Sequence, residues 1–351
     1  MGRGFYTIGP CGEELLGFVG LNLQKYDLTS LHYRHSATSI VRQLDDKIVE
    51  SIALDRARGF TCSTLDPVTG GKHCSIGGNP NLEFLVTSTL ASQAPAALGR
   101  ALAIPLSNFL LGKESKFNSN AVSFVSLGDG SINNAHFLSA LNLAKYSEFN
   151  KIKCPLVFAI SDNKICISLK GTGYVDSFVD NLQGMYTQRA DGTNFIDIYM
   201  KSKNVIEYSR KLKRPAVLLI SNLPRRFGHA ATDRQFAYYS PEEIQRQVDQ
   251  DPLSDAFSLL VQAGVYTEDE FQAIFNYNKS MIEKAFDQAD KEPKQNSRNE
   301  LIQSNSAPLA SSSVPLSSSP LVRYFASGIS FFFLVVTLLS SICREAFWTH
   351  D

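Results

Sequence analysis

AVSFVSLGDGSINNAHFLSALNLAKYSEFNKIKCPLVFAISDNKICIS, residues 121–168, is the stretch whose reading decides the fold. Val122, Phe124, Val125 and Leu127 make a short apolar run ending at Gly128-Asp129-Gly130, and residues 155–160 (PLVFAI) make a second ending at Ser161-Asp162-Asn163. Both read as strands buried on two faces. Between them Phe137, Ala140, Leu141 and Ala144 recur at helical spacing. A strand, crossover helix and strand of this kind lays its two strands parallel, which brings Asp129 and Asn163 to one sheet edge. Ligands bind at that carboxyl edge in open α/β sheets, and glycines flanking an acid let the backbone approach a phosphate. One carboxylate and one amide oxygen, completed by phosphate, water and a main-chain carbonyl, suit octahedral Mg²⁺ or the looser Ca²⁺. The stretch is therefore expected to be a metal and diphosphate cradle. A GDG hairpin turn beside an unrelated polar loop is the competing reading, and the matched strand ends weigh against it.

Outward from this cradle, 351 residues with 44% apolar content are enough for a large core. One main domain is expected over residues 1–290, a Ser/Pro/Asn-rich linker over 291–320 and a hydrophobic tail over 321–351. Lys+Arg and Asp+Glu both number 34, so the zero net charge gives no electrostatic case for nucleic acid or an acidic partner. Cys11, Cys62, Cys74, Cys154, Cys166 and Cys343 show no CxxC or zinc spacing, and a reducing compartment is expected. The chain enters at once into Gly4-Phe5-Tyr6-Thr7-Ile8-Gly9-Pro10, as though an earlier helix were missing.

Residues 13–23 (EELLGFVGLNL) read as a helix of mixed character. In Leu31-His32-Tyr33-Arg34-His35, Arg34 can fork onto a phosphate and Tyr33 can donate to it; a surface loop with solvated charges accounts for the same residues. Ile40 to Arg58 carries an apolar stripe and reads as one amphipathic helix. Residues 66–80 (DPVTGGKHCSIGGNP) read as a long loop over a site, with His73 either a surface residue or close to a substrate. A strand is expected at Phe84-Leu85-Val86-Thr87. Ser88 opens a helix rich in small residues, as its N-cap or as a donor to a ligand.

YRH at 33–35, GKH at 71–73, STLASQAP at 88–95, GDG at 128–130, SDNKICIS at 161–168 and RRFGHAATD at 225–233 together resemble a known family. It is the thiamine-diphosphate-binding alpha part of the decarboxylating dehydrogenase component of 2-oxo acid dehydrogenase complexes. The series is similar to the branched-chain and pyruvate types, with bacterial-type forms whose alpha and beta parts are fused as the nearest pattern. It runs in order from about residue 4 to 290. The resemblance implies an α/β, three-layer thiamine-diphosphate-binding fold with a mostly parallel sheet flanked by helices. It implies Asp129, Asn163 and the Ile165 carbonyl as ligands of Mg²⁺, Tyr33 and Arg34 as diphosphate anchors, and Gly130 and Ser131 as backbone donors at a helix start. Leu90 matches the bulky apolar residue beneath the bent cofactor and Ser88 a hydrogen-bonding neighbour. Ile167 matches a main-chain contact to the aminopyrimidine, and His229 the active-site histidine that helps hold the diphosphate and contacts the reacting centre, with His73 as a second catalytic candidate. Implied partners are a beta subunit in a heterotetramer, which supplies the activating glutamate, a lipoyl-bearing acyltransferase component and a small 2-oxo acid, in the mitochondrial matrix or bacterial cytoplasm. The family usually has Arg or a similar polar residue where Ser161 stands. The span from GDG to Asn163 is longer than usual through Tyr146 to Lys153, and Ala230 removes a phosphorylation site after the histidine, with Thr232 a weak substitute.

Downstream, helices are expected over Asn204 to Arg214, from Ser240-Pro241 and from the Thr267/Glu270 capping box to about Asp290, with a strand at residues 215–220 (PAVLLI). Tyr324 to Cys343 holds twenty uncharged residues between Arg323 and Arg344, long enough to span a bilayer. A membrane anchor and a truncated or misassembled gene product account for it equally. The second functional reading is a non-catalytic remnant serving assembly or a membrane-associated interaction.

Overall fold

The computed structural model describes residues 8–44, 47–72, 82–84, 86, 88–166, 173–230 and 233–305. Its strands are β1 (Leu28–Ser30), β2 (Ser123–Gly128), β3 (Leu156–Ser161), β4 (Tyr186–Asp191) and β5 (Ala216–Ser221). They form one parallel sheet in the order β1-β2-β3-β5-β4. The helices are α1 (Gly17–Gly20), α2 (Ser36–Gln43), α3 (Val49–Phe60), α4 (Gln93–Leu111), α5 (Ala135–Phe149) and α6 (Tyr174–Asp180). They continue with α7 (Phe195–Leu212), α8 (Pro241–Asp249), α9 (Pro252–Gln262), α10 (Glu268–Lys291) and α11 (Arg298–Asn305).

Alternation along β2 explains the three layers. Val122 and Phe124 face a core built with α1, α2, α3, α7 and α10, whereas Val125 and Leu127 face a second core with α4, α5 and α6. Both faces are covered, as an all-parallel sheet requires. The expected α/β three-layer arrangement is thus the observed one. Gly128 pairs with Ser161, so β2 and β3 end level with each other.

Several elements differ from expectation. The single helix expected over Ile40 to Arg58 is two, α2 and α3, because Ile48 is extended (φ −71°, ψ 151°) and exposed while the flanking Val41 and Val49 are buried. The helix expected over Glu13 to Leu23 is a 3-10 turn, Glu14–Leu16, leading into the single turn of α1. Around Glu83 the chain makes only an isolated bridge to Thr29 in place of the strand expected at 84–87, and Leu85 and Thr87 lie outside the described residues. Ser88 to Ser92 form turns, with Ala91 at φ 58°, so α4 opens at Gln93. Helix α7 starts nine residues before Asn204. Helices α8 and α10 carry the capping boxes at Ser240/Glu243 and Thr267/Glu270. Inside the stretch expected as linker, α11 forms, and Thr64 N–H donates to the Pro293 carbonyl. The hydrophobic tail and its segment 324–343 lie outside the described residues.

Among the described residues, Gln93–Glu114 is long and apolar enough to cross a membrane. Its Ala94, Ala97, Leu98, Ala101 and Ile104 are buried in the fold, so small side chains here serve close packing under the sheet.

One buried ion pair ties β1, β2 and α7. Asp27, 0% exposed, accepts both Arg210 Nη1 and Nη2 at 2.8 Å, together with Val122 N and Gln24 N. Asp27→Ala leaves the guanidinium and two N–H groups without their acceptor and should lower stability by about 3–5 kcal/mol, read by urea denaturation. A loss under about 1 kcal/mol would mean that water replaces the carboxylate there.

Candidate functional site

The carboxyl edge of β2 and β3 carries the cradle. Asp129 opens a 3-10 turn, Asp129–Asn133, directly after β2, and its Oδ1 accepts Gly130 N at 2.7 Å. Asn163 follows β3 by two residues. Lys164 takes φ 62°, which folds the turn so that Ile165 N reaches Asn163 Oδ1 at 3.2 Å and Lys164 N reaches Asp162 Oδ1 at 2.8 Å. Burial pushes the Asp129 carboxyl up to about 7 despite the opposing Gly130 N–H, and nearby Asp162 and Glu13 push it the same way. Asp162 is itself raised by burial.

Asp129 and Asp162, both raised by burial, are carboxylates whose ionised form a nearby cation would favour. Two further features fit a diphosphate beside it. Ser131 is fully buried, yet its Oγ has no hydrogen-bond partner among the described residues. A Cβ on Gly130 would stand 2.4 Å from Cys166 Sγ, so a larger residue there would have to displace the Cys166 side chain. Asp129, Asn163, Gly130 and Ser131 therefore suit a metal-bound diphosphate.

The second wall comes from the YRH segment and the loop after β5. Arg34 is 3% exposed; its Nη1 donates to Gly9 O, and its Nη2 donates to both His229 Nδ1 and His229 O, all at 3.0 Å. A guanidinium can only donate, so His229 Nδ1 is the acceptor and the neutral imidazole carries its proton on Nε2. Burial, then Arg34 and Arg225, push His229 down to about 4. Asp233 holds this loop, accepting His229 N at 2.6 Å and Arg225 Nη2 at 2.8 Å. The Tyr33 ring meets His229 edge-on, with centroids 6.0 Å apart.

Beneath both walls lies a buried polar network that the sequence did not signal. Gly12, at φ 114°, is wedged where any Cβ would meet the Pro224 carbonyl oxygen at 2.3 Å, and Arg226 N donates to Cys11 O. This contact turns Glu13 inward. Its Oε2 accepts His35 Nε2 at 2.9 Å, and its Oε1 accepts Asn163 Nδ2 at 3.2 Å. His35 Nε2 also lies 3.0 Å from Ser161 Oγ. Burial works to raise Glu13, but the His35 hydrogen bond and the charges of His35 and Arg34 hold it below the usual carboxylate range. Glu13, His32 and His35 bring ligand atoms within 4.8 Å of one another. Burial, then the charges of His35, Arg34 and His229, keep His32 well below its ordinary value.

Of the residues singled out from the sequence, Asp129, Gly130, Ser131 and Asn163 line one edge, with Tyr33, Arg34 and His229 joined to one another. Ser88 and Leu90 are exposed in the turns before α4, whose Gln93 Nε2 donates to Ser126 O on β2. Ile165 lies in the Asn163 turn, while Ile167, His73 and Thr232 lie outside the described residues. Glu13, His35 and Asp233 were missed. The Glu13 contact spans 150 positions in sequence, so no local pattern marks it.

A family profile described as dehydrogenase E1 component matches residues 3–298. The chain is similar to the pyruvate dehydrogenase E1 component subunit alpha of Rickettsia prowazekii (strain Madrid E), 26% identical over 289 residues that cover 80% of each chain. It is also similar to the mitochondrial 2-oxoisovalerate dehydrogenase subunit alpha of Macaca fascicularis, 26% identical over 226 residues that cover 60% of this chain and 45% of the relative. The Homo sapiens protein of the same name matches to the same extent.

Proposed function

The chain belongs to the dehydrogenase E1 component family, and on that premise we propose that it is the alpha part of a 2-oxo acid dehydrogenase that binds thiamine diphosphate through Mg²⁺. It serves oxidative decarboxylation of a 2-oxo acid and acyl transfer to a lipoyl group of the acyltransferase component, and it requires a beta partner. The observation that carries this reading is that Asp129 and Asn163 both follow the level ends of β2 and β3, beside a buried Ser131 hydroxyl that has no partner among the described residues.

Asp129, Asn163 and the Ile165 carbonyl would hold the metal, and Ser131 would meet the diphosphate, joined by Gly130 N–H once it turns from Asp129 Oδ1. When bound, thiamine diphosphate supplies the carbanion chemistry that releases CO₂ from the 2-oxo acid. The chain's own work is to position and to exclude water. Arg34 selects the His229 tautomer with its proton on Nε2, and burial keeps the ring neutral across the physiological range. Leu90 and Ser88, exposed at the head of α4, are available to the cofactor ring, and Ile167 and His73 remain assigned on the resemblance alone. The bacterial and mitochondrial relatives support a bacterial cytoplasm or mitochondrial matrix as the place of action. The alpha domain is taken to end near residue 290, close to the end of α10.

Calorimetric titration of the full chain with thiamine diphosphate, with and without Mg²⁺ and with and without a co-expressed beta-type subunit, tests the reading. Mg²⁺-dependent binding is expected, with 2-oxo acid decarboxylation only in the complex. Absence of Mg²⁺-dependent binding under every condition would favour the non-catalytic alternative.

The beta partner also has a surface to meet. Leu106, Phe109 and Leu110 on α4 and Leu143, Tyr146 and Phe149 on α5 are exposed, Phe109 and Phe149 by more than four-fifths (84% and 83%). Exposed apolar side chains concentrated on two neighbouring helices mark a subunit contact. Phe109→Glu together with Phe149→Glu should weaken association with the beta-type subunit at least about thirtyfold, measured by sedimentation. An unchanged association constant would remove this face from the partner contact.

A further inference from the structure

We propose that Glu13 is a positioning residue for the metal site, setting the Asn163 side-chain amide so that its oxygen faces the cation. The inference rests on the assignment of Asp129 and Asn163 as ligands. An asparagine amide presents a donor on one side and an acceptor on the other, and its two orientations are close in shape. A ligand that flips turns NH₂ toward the cation and is lost. Glu13 removes that freedom: its carboxylate only accepts, and Oε1 takes Asn163 Nδ2 at 3.2 Å. Asn163 Oδ1 is left on the other side, with Ile165 N as its partner at 3.2 Å and a lone pair to spare.

Glu13 can hold the amide because it is itself held. It is 1% exposed, and Oε2 takes His35 Nε2 at 2.9 Å, while His35 is 3% exposed and backed by Ser161 Oγ at 3.0 Å. The Gly12 wedge against Pro224 fixes the backbone from which Glu13 projects. The adjacent Glu14 serves a different contact, with its Oε2 accepting Gly12 N at 3.0 Å. The relay His35 to Glu13 to Asn163 thus ties the YRH segment to the turn after β3, and outer-shell partners of this kind set the affinity of a metal site.

The test is Mn²⁺ titration followed by electron paramagnetic resonance, on the full chain with thiamine diphosphate present, both alone and with the co-expressed beta-type subunit, and with melting temperatures recorded in parallel. Glu13→Leu should weaken Mn²⁺ binding about 10- to 100-fold. Glu13→Gln keeps an Oε1 acceptor for Nδ2 but places an NH₂ where Oε2 meets His35 Nε2, so its affinity should fall between wild type and Glu13→Leu. On an Asn163→Ala background Glu13→Leu should add less than about threefold, because the two residues act as one unit. Should the leucine variant not fold, Glu13→Ala takes its place in the same comparison. Wild-type affinity in a folded Glu13→Leu or Glu13→Ala protein overturns the proposal, as does an equal loss on the Asn163→Ala background. If folded wild type binds no Mn²⁺ with thiamine diphosphate, the ligand assignment falls first and this inference falls with it.

Discussion

Asp129→Asn should abolish Mg²⁺-dependent thiamine diphosphate binding, with a loss beyond about 100-fold, and should at the same time stabilise the metal-free protein at neutral pH. The two effects have one source. Burial raises the Asp129 carboxyl from 3.8 to about 7, so between those values the native state keeps a proton that the unfolded state has released. Stability of the metal-free wild type therefore falls as pH rises from about 4 to about 7, by at most roughly 1.4 kcal/mol per pH unit. An amide does not ionise, so the variant lacks this slope and melts higher than wild type near pH 7.5 without ligands. With Mg²⁺ and thiamine diphosphate added, the order should reverse, because only wild type gains binding energy from the cation. Thermal melts of both proteins across pH, with and without ligands, check the pair of effects. A parallel pH dependence in the two proteins would show that Asp129 does not carry the buried charge. Unaltered Mg²⁺-dependent binding by the variant would remove Asp129 from the metal.

How far the molecule can be read from its residues depends on whether a contact is local. Strands β2, β3 and β5 announce themselves as apolar runs because both faces are buried. Strand β4, with the residues YTQRAD, carries no such run: it is a sheet edge, half-buried for most of its length, and Arg189 spends its charge on Asp176 and Asp180 outside the core. Strand β1 is only three residues long, too short for any periodicity to register. Asp129 and Asn163 were legible because strand ends deliver them, and the capping boxes at Ser240 and Thr267 because their partners stand three residues away. Ser161 stands out in the sequence as a departure from the family pattern, but its contact with His35 belongs to the tertiary fold, as does the turning of Glu13 toward Asn163. Local chemistry thus points to Asp129 and Asn163 as ligand candidates, whereas the Glu13 contact on Asn163 depends on how the Gly12 loop packs.

His229→Ala should lower turnover of the complex with the beta-type subunit by about 10²- to 10⁴-fold while leaving Mg²⁺-dependent cofactor affinity within about tenfold. The separation follows from position and tautomer. The proposed metal ligands, Asp129 and Asn163, stand on the β2 and β3 edge, whereas His229 stands on the loop after β5, locked by Arg34 at Nδ1 and by Asp233 at its backbone N–H. What the imidazole offers the site is a neutral Nε2–H, and its depression to about 4 keeps it neutral through the working range. The sign follows directly. A histidine lowered below its ordinary value resists protonation when folded, so wild-type kcat/KM should show no acidic limb near pH 6.5 from this residue. Arg34→Met removes both the donor that selects the tautomer and one of the charges that depress His229, while burial, the larger cause, remains. The His229 titration should then move upward from about 4 without reaching its ordinary value, read by side-chain nitrogen NMR, and turnover should fall even though His229 is still present. A titration unmoved by Arg34→Met would mean that burial alone sets the protonation state. Full turnover in that variant would show that the tautomer lock has no part in the reaction.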